Sequence, residues 1–129
     1  MAAPHPTEGE LAILHVLWSR SGPMTVREVH TVLSHNKITA YTTVLKMLTI
    51  MAEKGLVQRD ESERSHTYRA VYPEPVVQAS LLKDLMHRAF SGSTLTLVQR
   101  ALDDEIASAD ELDAISKLIA DAKAKRKPR

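Results

Sequence analysis

At 129 residues and a formal net charge of +1, the chain is expected to form one domain, or a small domain with an added oligomerisation segment. The core of so short a chain is modest, which favours a dimer. Hydrophobic residues make up 43% and charged residues 26%, which argues against disorder, and the lack of Cys excludes disulfides and thiolate metal sites. Without a signal peptide or a run of about 20 apolar residues, we expect a soluble, cytoplasmic protein with no membrane insertion.

Two short amphipathic helices are predicted at the start of the chain. Thr7 and Glu10 have the spacing of a capping box, in which each side chain bonds the other residue's backbone amide, and this box opens the first helix. Thr25 and Glu28 repeat the pattern at the start of the second helix. The Ser21-Gly22-Pro23 segment separates the two helices.

The third predicted helix lies in ITAYTTVLKMLTIMAEKG and carries four threonines, which helices ordinarily disfavour. Lys54 and Gly55 form its expected C-terminal cap. Helical spacing predicts an inward face made of Tyr41, Val44, Leu45, Leu48, Met51 and Ala52. The predicted outward face consists of Thr39, Thr42, Thr43, Lys46, Thr49, Ile50 and Glu53.

A charged hairpin and further helices follow. Residues 57–71 have strand-like ends and a polar middle, which predicts two strands joined by a charged turn. The Pro73-Glu74-Pro75 segment marks a boundary between residues 1–73 and a helical segment, 74–129. The fold class we expect is mainly α with a small β-hairpin wing: a winged helix-turn-helix followed by a helical dimerisation segment.

A threonine-rich outward face suits a helix in the DNA major groove. Threonine carries a hydroxyl that donates and accepts, beside a methyl that can contact thymine. In a winged helix the third helix enters the groove, where Thr42, Thr43, Thr49 and Lys46 would contact bases or phosphates. Thr39 would cap the helix and direct its free amides toward a phosphate. The remaining candidates are Arg59 and Arg64 of the wing, which would contact phosphates. The alternative for the third helix is that its threonine-rich face is merely exposed to solvent.

The chain resembles the penicillinase-repressor family, the BlaI/MecI/CopY group of bacterial transcription regulators. The resemblance rests on TEGELAILHVLW, TAYTTVLKMLTIMAEKGLV, HTYRAV and STLTLVQRAL, and it covers almost the whole chain. It implies a homodimeric repressor that binds a dyad-symmetric, double-stranded DNA operator, with base or backbone contacts from Tyr41, Thr42, Thr43 and Lys46. It also implies a dimer interface, which agrees with the predicted apolar helix faces and comprises Leu81, Leu85, Leu95, Val98, Leu102, Leu112, Ile115 and Ile119.

Three features qualify what the resemblance implies. Well-known members carry Arg at the position of Leu45, so the operator sequence is open. In the antibiotic-responsive branch a membrane sensor metalloprotease triggers cleavage of an Asn-Phe bond in the dimerisation segment. The matching pair here is Arg100-Ala101, so cleavage is open too. The copper-responsive branch uses a cysteine-rich site, which a chain without Cys cannot form.

No sequence motif supports an enzyme. The six His residues form no HExxH-like pair, the four Gly residues are isolated, and no acid pair is recognisably catalytic. We therefore expect no catalytic residues, no cofactor and no metal, although a metal site assembled from distant residues stays open. The alternatives to a DNA-binding repressor are a winged-helix protein-interaction module and a regulator gated by a ligand between its domains.

Overall fold

The structure is a computed structural model that describes residues 4–126, so residues 1–3 and 127–129 of the two predicted domains lie outside it. Its contacts divide the chain into two compact units, Met1–Asp84 and Leu85–Arg129. In chain order the elements are α1 (Glu8–Trp18), β1 (Met24–Thr25), α2 (Val26–Leu33), α3 (Tyr41–Lys54), β2 (Val57–Asp60), β3 (Thr67–Ala70), α4 (Glu74–Phe90), α5 (Thr94–Asp103) and α6 (Ala109–Lys125). The predicted boundary at residue 73 directly precedes α4, whereas the division into units falls within that helix.

Both predicted capping boxes of the first unit are present. The Thr7 amide donates to Glu10 Oε1 at 2.9 Å, and the Glu10 amide donates to Thr7 Oγ1 at 3.2 Å. Thr25 and Glu28 form the same pair of bonds at the start of α2, also at 2.9 and 3.2 Å. Because these bonds satisfy amides that have no partner within the helix, they fix where α1 and α2 begin.

The core of the first unit lies between the three helices and the sheet. Val44, Leu48 and Met51 are the residues of α3 that are buried in it. Gly55, with φ 82°, ends α3 in the left-handed conformation that the sequence predicted. The apolar core comprises Ile13, Leu14, Val16, Leu17, Met24, Val26, Val29, Val44, Leu48, Met51, Leu56, Val57 and Tyr68.

One ion pair sits at the edge of this core. Lys54 Nζ lies 2.7 Å from Glu10 Oε1, so the C-terminal end of α3 is tied to the first turn of α1. Burial of Glu10 opposes its ionisation, but the hydrogen bonds from Lys54 and from the Thr7 amide outweigh that cost and lower its pKa. Glu10 is therefore ionised at neutral pH within an otherwise apolar packing layer.

The predicted hairpin is confirmed and belongs to a larger sheet. β2 and β3 pair antiparallel, with Arg59 opposite Tyr68, and β1 pairs with the other edge of β3, giving the order β1-β3-β2. β1 was not predicted from the sequence; it consists of Met24 and Thr25 alone. Tyr68, at the centre of the sheet, is buried and anchors the wing, by which we mean residues 57–70, to the helices.

The second unit is entirely helical in its described part, residues 85–126. Ser93 and Ser108 cap α5 and α6, because each side chain accepts a hydrogen bond from an amide of the first turn. Glu111 lies three residues after Ser108, the spacing of a capping box, but within the described residues it returns no bond to the Ser108 amide. No described residue of this unit is buried. Its exposed apolar residues are Leu85, Leu95, Val98, Leu102, Ile106, Leu112, Leu118 and Ile119.

Candidate nucleic-acid interface

The exposed side of α3 carries most of the predicted contact residues. Thr42, Thr43 and Lys46 are exposed, and Thr49 is half-buried. Thr42, Leu45, Lys46 and Thr49 follow one another at steps that place them on one helix face, which we call the outer row. This face lies opposite the buried seam of Val44, Leu48 and Met51, whereas Thr43 flanks it.

The prediction that Tyr41 and Leu45 point inward was wrong. Their side chains are 44% and 41% exposed, whereas Val44 is completely buried. The strip of α3 that is buried against the rest of the core is narrower than the apolar sector that helical spacing predicted. Two large apolar residues therefore remain beside the threonines, where a groove-binding helix can use them.

The start of α3 differs from the prediction as well. The N-cap is Ala40, which has no side-chain oxygen, and Thr39 does not cap the helix, because its hydroxyl donates to the Lys37 carbonyl at 3.0 Å. The Thr39 carbonyl instead accepts a 2.7 Å hydrogen bond from His30 Nε2, which requires the proton on that nitrogen. The His30 ring also meets Tyr41 edge-on at 5.8 Å, so α2 orients the first turn of α3.

The two predicted arginines of the wing differ in whether their charge is already paired. Arg59 is tied down: a hydrogen bond with Tyr68 and the Glu61 carboxylate, 3.2 Å away, raise its pKa. Arg64, at the exposed turn, makes no ion pair or hydrogen bond among the described residues. Arg69 donates a hydrogen bond to Gln58 on the neighbouring strand. Arg64 is thus the wing arginine whose charge is available to a ligand.

A cleft of about 350 Å³ separates the wing from α2 and α3. Its ionisable lining includes Arg27, Arg64 and His66 but no carboxylate, and we call it the basic cleft. Arg27 was missed by the sequence analysis. Its position in the first turn of α2 was a signal, because helices favour acids there and a base needs another reason. The lining residues are Thr25, Val26, Arg27, Tyr41, Leu45, Arg64, Ser65, His66 and Tyr68.

Residues 4–126 contain neither a metal-binding cluster nor a membrane-spanning helix. No group of three or more His, Asp or Glu side chains is arranged to hold a metal ion. None of the helices there combines the length and apolar character that crossing a bilayer requires. The candidate site of the first unit is therefore the outer row of α3 together with the adjacent basic cleft.

Three helices, a three-stranded sheet and an exposed third helix beside a wing define a winged-helix protein. The solution structure of the DNA binding domain of the repressor BlaI matches with a TM-score of 0.50 and 25% identity, covering 57% of this chain and 90% of that one. The complex structure of hsRosR-S4 shares the fold, with a TM-score of 0.55 and 19% identity over 97% of this chain and 96% of that one. A MarR family protein from Bacillus stearothermophilus does so as well, with a TM-score of 0.50 and 18% identity, covering 95% and 76% of the two chains.

The sequence comparisons give the family. The family model of the penicillinase repressor matches residues 6–121. The transcriptional regulator BlaI of Mycobacterium tuberculosis is 37% identical over 116 residues, which are 89% of this chain and 83% of that protein. The chain belongs to the penicillinase repressor family, as its sequence motifs indicated, and it is a transcriptional regulator rather than an enzyme.

Proposed function

We propose that the chain represses transcription as a homodimer in the cytoplasm, with α3 of each copy in the major groove of one half-site of a dyad-symmetric operator. The observation that carries this proposal is the outer row of α3, exposed and directly beside the basic cleft. In a winged helix, this helix reads the groove and the elements around it contact the backbone.

The side chains of α3 fit base edges. Thr42 and Thr43, exposed in its first turn, are short enough to let the helix axis approach the bases, and each presents a hydroxyl and a methyl. Lys46, one turn further on, reaches a guanine edge or a phosphate. A solvated helix face gains little from threonine, because glutamate and lysine have the higher helix propensity. Groove contact accounts for the choice of residues at this face.

The basic cleft supplies contacts that are independent of sequence. Arg27 from α2 and Arg64 from the wing both line it, and no acid of the lining neutralises them. A DNA backbone that enters the cleft would meet both side chains. Arg59 can add a phosphate contact only by giving up Glu61, so we assign it a smaller contribution.

The dimer would form through the second unit together with the end of the first. Leu85, Leu95, Val98, Leu102, Leu112 and Ile119 are exposed, and Leu81 and Ile115 are half-buried. A single copy leaves this apolar surface in water, whereas two copies bury it against each other. Two tethered winged helices then bind two half-sites with a high effective concentration.

Cleavage in the dimerisation segment would reverse repression. A cut at Arg100–Ala101 would separate α6, with its exposed apolar residues, from the winged helix and so weaken the dimer. Arg100 is exposed but lies within α5, so a membrane sensor protease system would have to act on an unwound segment. Mass spectrometry of the protein from induced cells tests this route: a fragment ending at Arg100 supports it, and an uncut chain in derepressed cells rules it out.

The test of the proposal is a change at the outward side of α3. Thr43→Glu places a carboxylate against the phosphates and should reduce operator affinity at least 100-fold, measured by mobility shift, with the dimer unchanged in analytical ultracentrifugation. Thr94→Glu is the matched control, because an acid at the start of α5 is tolerated by the helix dipole and lies outside the first unit. Undiminished affinity of Thr43→Glu would refute the assigned face.

The salt dependence separates this proposal from a winged helix that binds only proteins. For DNA, log K should fall linearly with log salt, with a slope of roughly −0.9 for each phosphate neutralised. Arg27→Gln and Arg64→Gln should each make that slope shallower by about the equivalent of one phosphate per protomer. A protein-interaction module would instead show no affinity for duplex DNA and a partner affinity nearly independent of salt.

A further inference from the structure

Leu45 is the apolar member of the outer row. It lies at the helical spacing of Thr42 and Thr49, its side chain is 41% exposed, and it also lines the basic cleft. The exposed part of Leu45 leaves apolar surface in water and contributes nothing to the folded monomer. It is therefore available for contact with whatever the outer row binds.

The neighbour of Leu45 on the same row strengthens its apolar character. The Thr49 hydroxyl donates to the Leu45 carbonyl at 2.8 Å, so its proton is used within the helix. Thr49 can then offer an approaching ligand a methyl group and an acceptor, but no free donor. Leu45 and Thr49 together form an apolar spot on the outer row, next to Thr42 and Lys46.

The chemistry of the major groove limits what this spot can read. Guanine, adenine and cytosine present hydrogen-bonding groups there, and a leucine over such a group removes its water without replacing the bond. Thymine presents the groove's one apolar group among the four bases, its 5-methyl. An apolar side chain in the row therefore favours thymine both by contact and by excluding the alternatives.

We propose that Leu45 is a specificity-determining residue that contacts a thymine 5-methyl group, so that each operator half-site has a thymine facing it. This inference rests on the proposed function, since it requires α3 to lie in the major groove. It goes further by naming the base that one side chain selects. Thr49 acts beside it, with its own methyl extending the same contact.

The experiment uses the full chain and DNA that the chain itself selects. Duplexes enriched from a random-sequence pool give the half-site, and each of its thymines is then replaced in turn by uracil, which differs only by lacking the methyl. One thymine per half-site should show a loss of about fourfold in affinity when replaced, the factor that corresponds to one buried methylene at about 0.8 kcal/mol. The Leu45→Ala variant should bind the thymine and uracil duplexes equally.

Ile50→Ala is the matched control, because Ile50 is similarly exposed on α3 but does not line the cleft, and it should retain the fourfold preference. Leu45→Arg, selected against the same pool, should exchange the thymine for guanine, which arginine binds through two hydrogen bonds. Leu45 lies outside the buried core, so these variants should still fold, which a thermal unfolding curve checks.

Failure of the proposed function and failure of the role assigned to Leu45 give different results. If the chain enriches no sequence from the pool, the proposed function falls and this inference with it. If it enriches a site but thymine and uracil bind equally, or Leu45→Ala keeps the preference, then only the role of Leu45 is refuted.

Discussion

The winged-helix unit and the C-terminal helices differ in how much apolar surface each buries by itself. In the unit Met1–Asp84, side chains from all three leading helices and the sheet are sealed in a common core. In the unit Leu85–Arg129, no described residue is buried, although its helices α5 and α6 are amphipathic. The first unit therefore has a buried core of its own, whereas the second leaves its apolar residues exposed.

This difference fits a division of the two proposed tasks, DNA binding by the first unit and dimer assembly by the second. The outer row needs a rigid scaffold, because base contacts depend on the position of each side chain, and the sealed core supplies it. The second unit needs an accessible apolar surface, because its proposed task is to pair with another copy. Substitutions in the two units should therefore have different effects: those in the first unit should alter folding or DNA contact, and those in the second should alter the dimer.

The largest effect is expected from a charge in the exposed apolar surface of the second unit. Val98→Asp should dissociate the dimer and lower operator affinity by about 100- to 10,000-fold, because the two half-site contacts lose their tether. Analytical ultracentrifugation and mobility shift measure the two effects. Gln99→Asp, on the neighbouring exposed residue, should change neither. A Val98→Asp protein that remains dimeric would remove this residue from the interface.

A pair of leucine truncations compares the two units directly. Leu48→Ala empties a fully buried site and should lower the free energy of unfolding by about 2–5 kcal/mol at every protein concentration. Leu102→Ala removes an exposed side chain, so its effect should act through the dimer and vary with concentration. Chemical denaturation over a hundredfold range of concentration distinguishes them. A concentration-independent loss in Leu102→Ala would mean that the second unit has a core of its own.

The ion pair of Glu10 predicts a smaller effect that depends on pH. Because the pKa of Glu10 is lowered in the folded protein, its contribution is present above its ordinary value of 4.5 and is lost as the pH falls through the folded pKa. Glu10→Gln should therefore cost about 1–2 kcal/mol at pH 7 and less at an acidic pH below 4.5 at which the protein is still folded. Glu8→Gln, on an exposed carboxylate of the same helix turn, is the control. A cost that is the same at both pH values would contradict the assignment.

The parts of the fold that the sequence predicted are those set by local signals. The capping boxes at Thr7 and Thr25 and the left-handed Gly55 involve bonds within a few residues, and all three are present. β1 could not be predicted, since two residues carry no period and their partners, Tyr68 and Thr67, are distant in the sequence. The same holds for the hydrogen bond from His30 of α2 to the Thr39 carbonyl, just before α3, and for the absence of the expected Thr39 cap.

The candidate site was predicted in part for a similar reason. The exposure of Thr42, Thr43 and Lys46 follows from helical period, while their contact with DNA remains a prediction. Tyr41 and Leu45 were assigned to the wrong side, because the width of the buried seam depends on how closely other elements approach α3. Arg27 was missed because only the folded chain brings α2 next to the wing.

The most direct test of the central claim is an NMR titration of the full chain with its selected operator duplex, following backbone and side-chain signals. Shift changes should concentrate in Thr42, Thr43, Leu45 and Lys46, with Arg27 and Arg64 at the edges, and spare the exposed residues of α6. Changes confined to α5 and α6, with the signals of α3 unmoved at saturating DNA, would contradict the claim that this helix reads the operator.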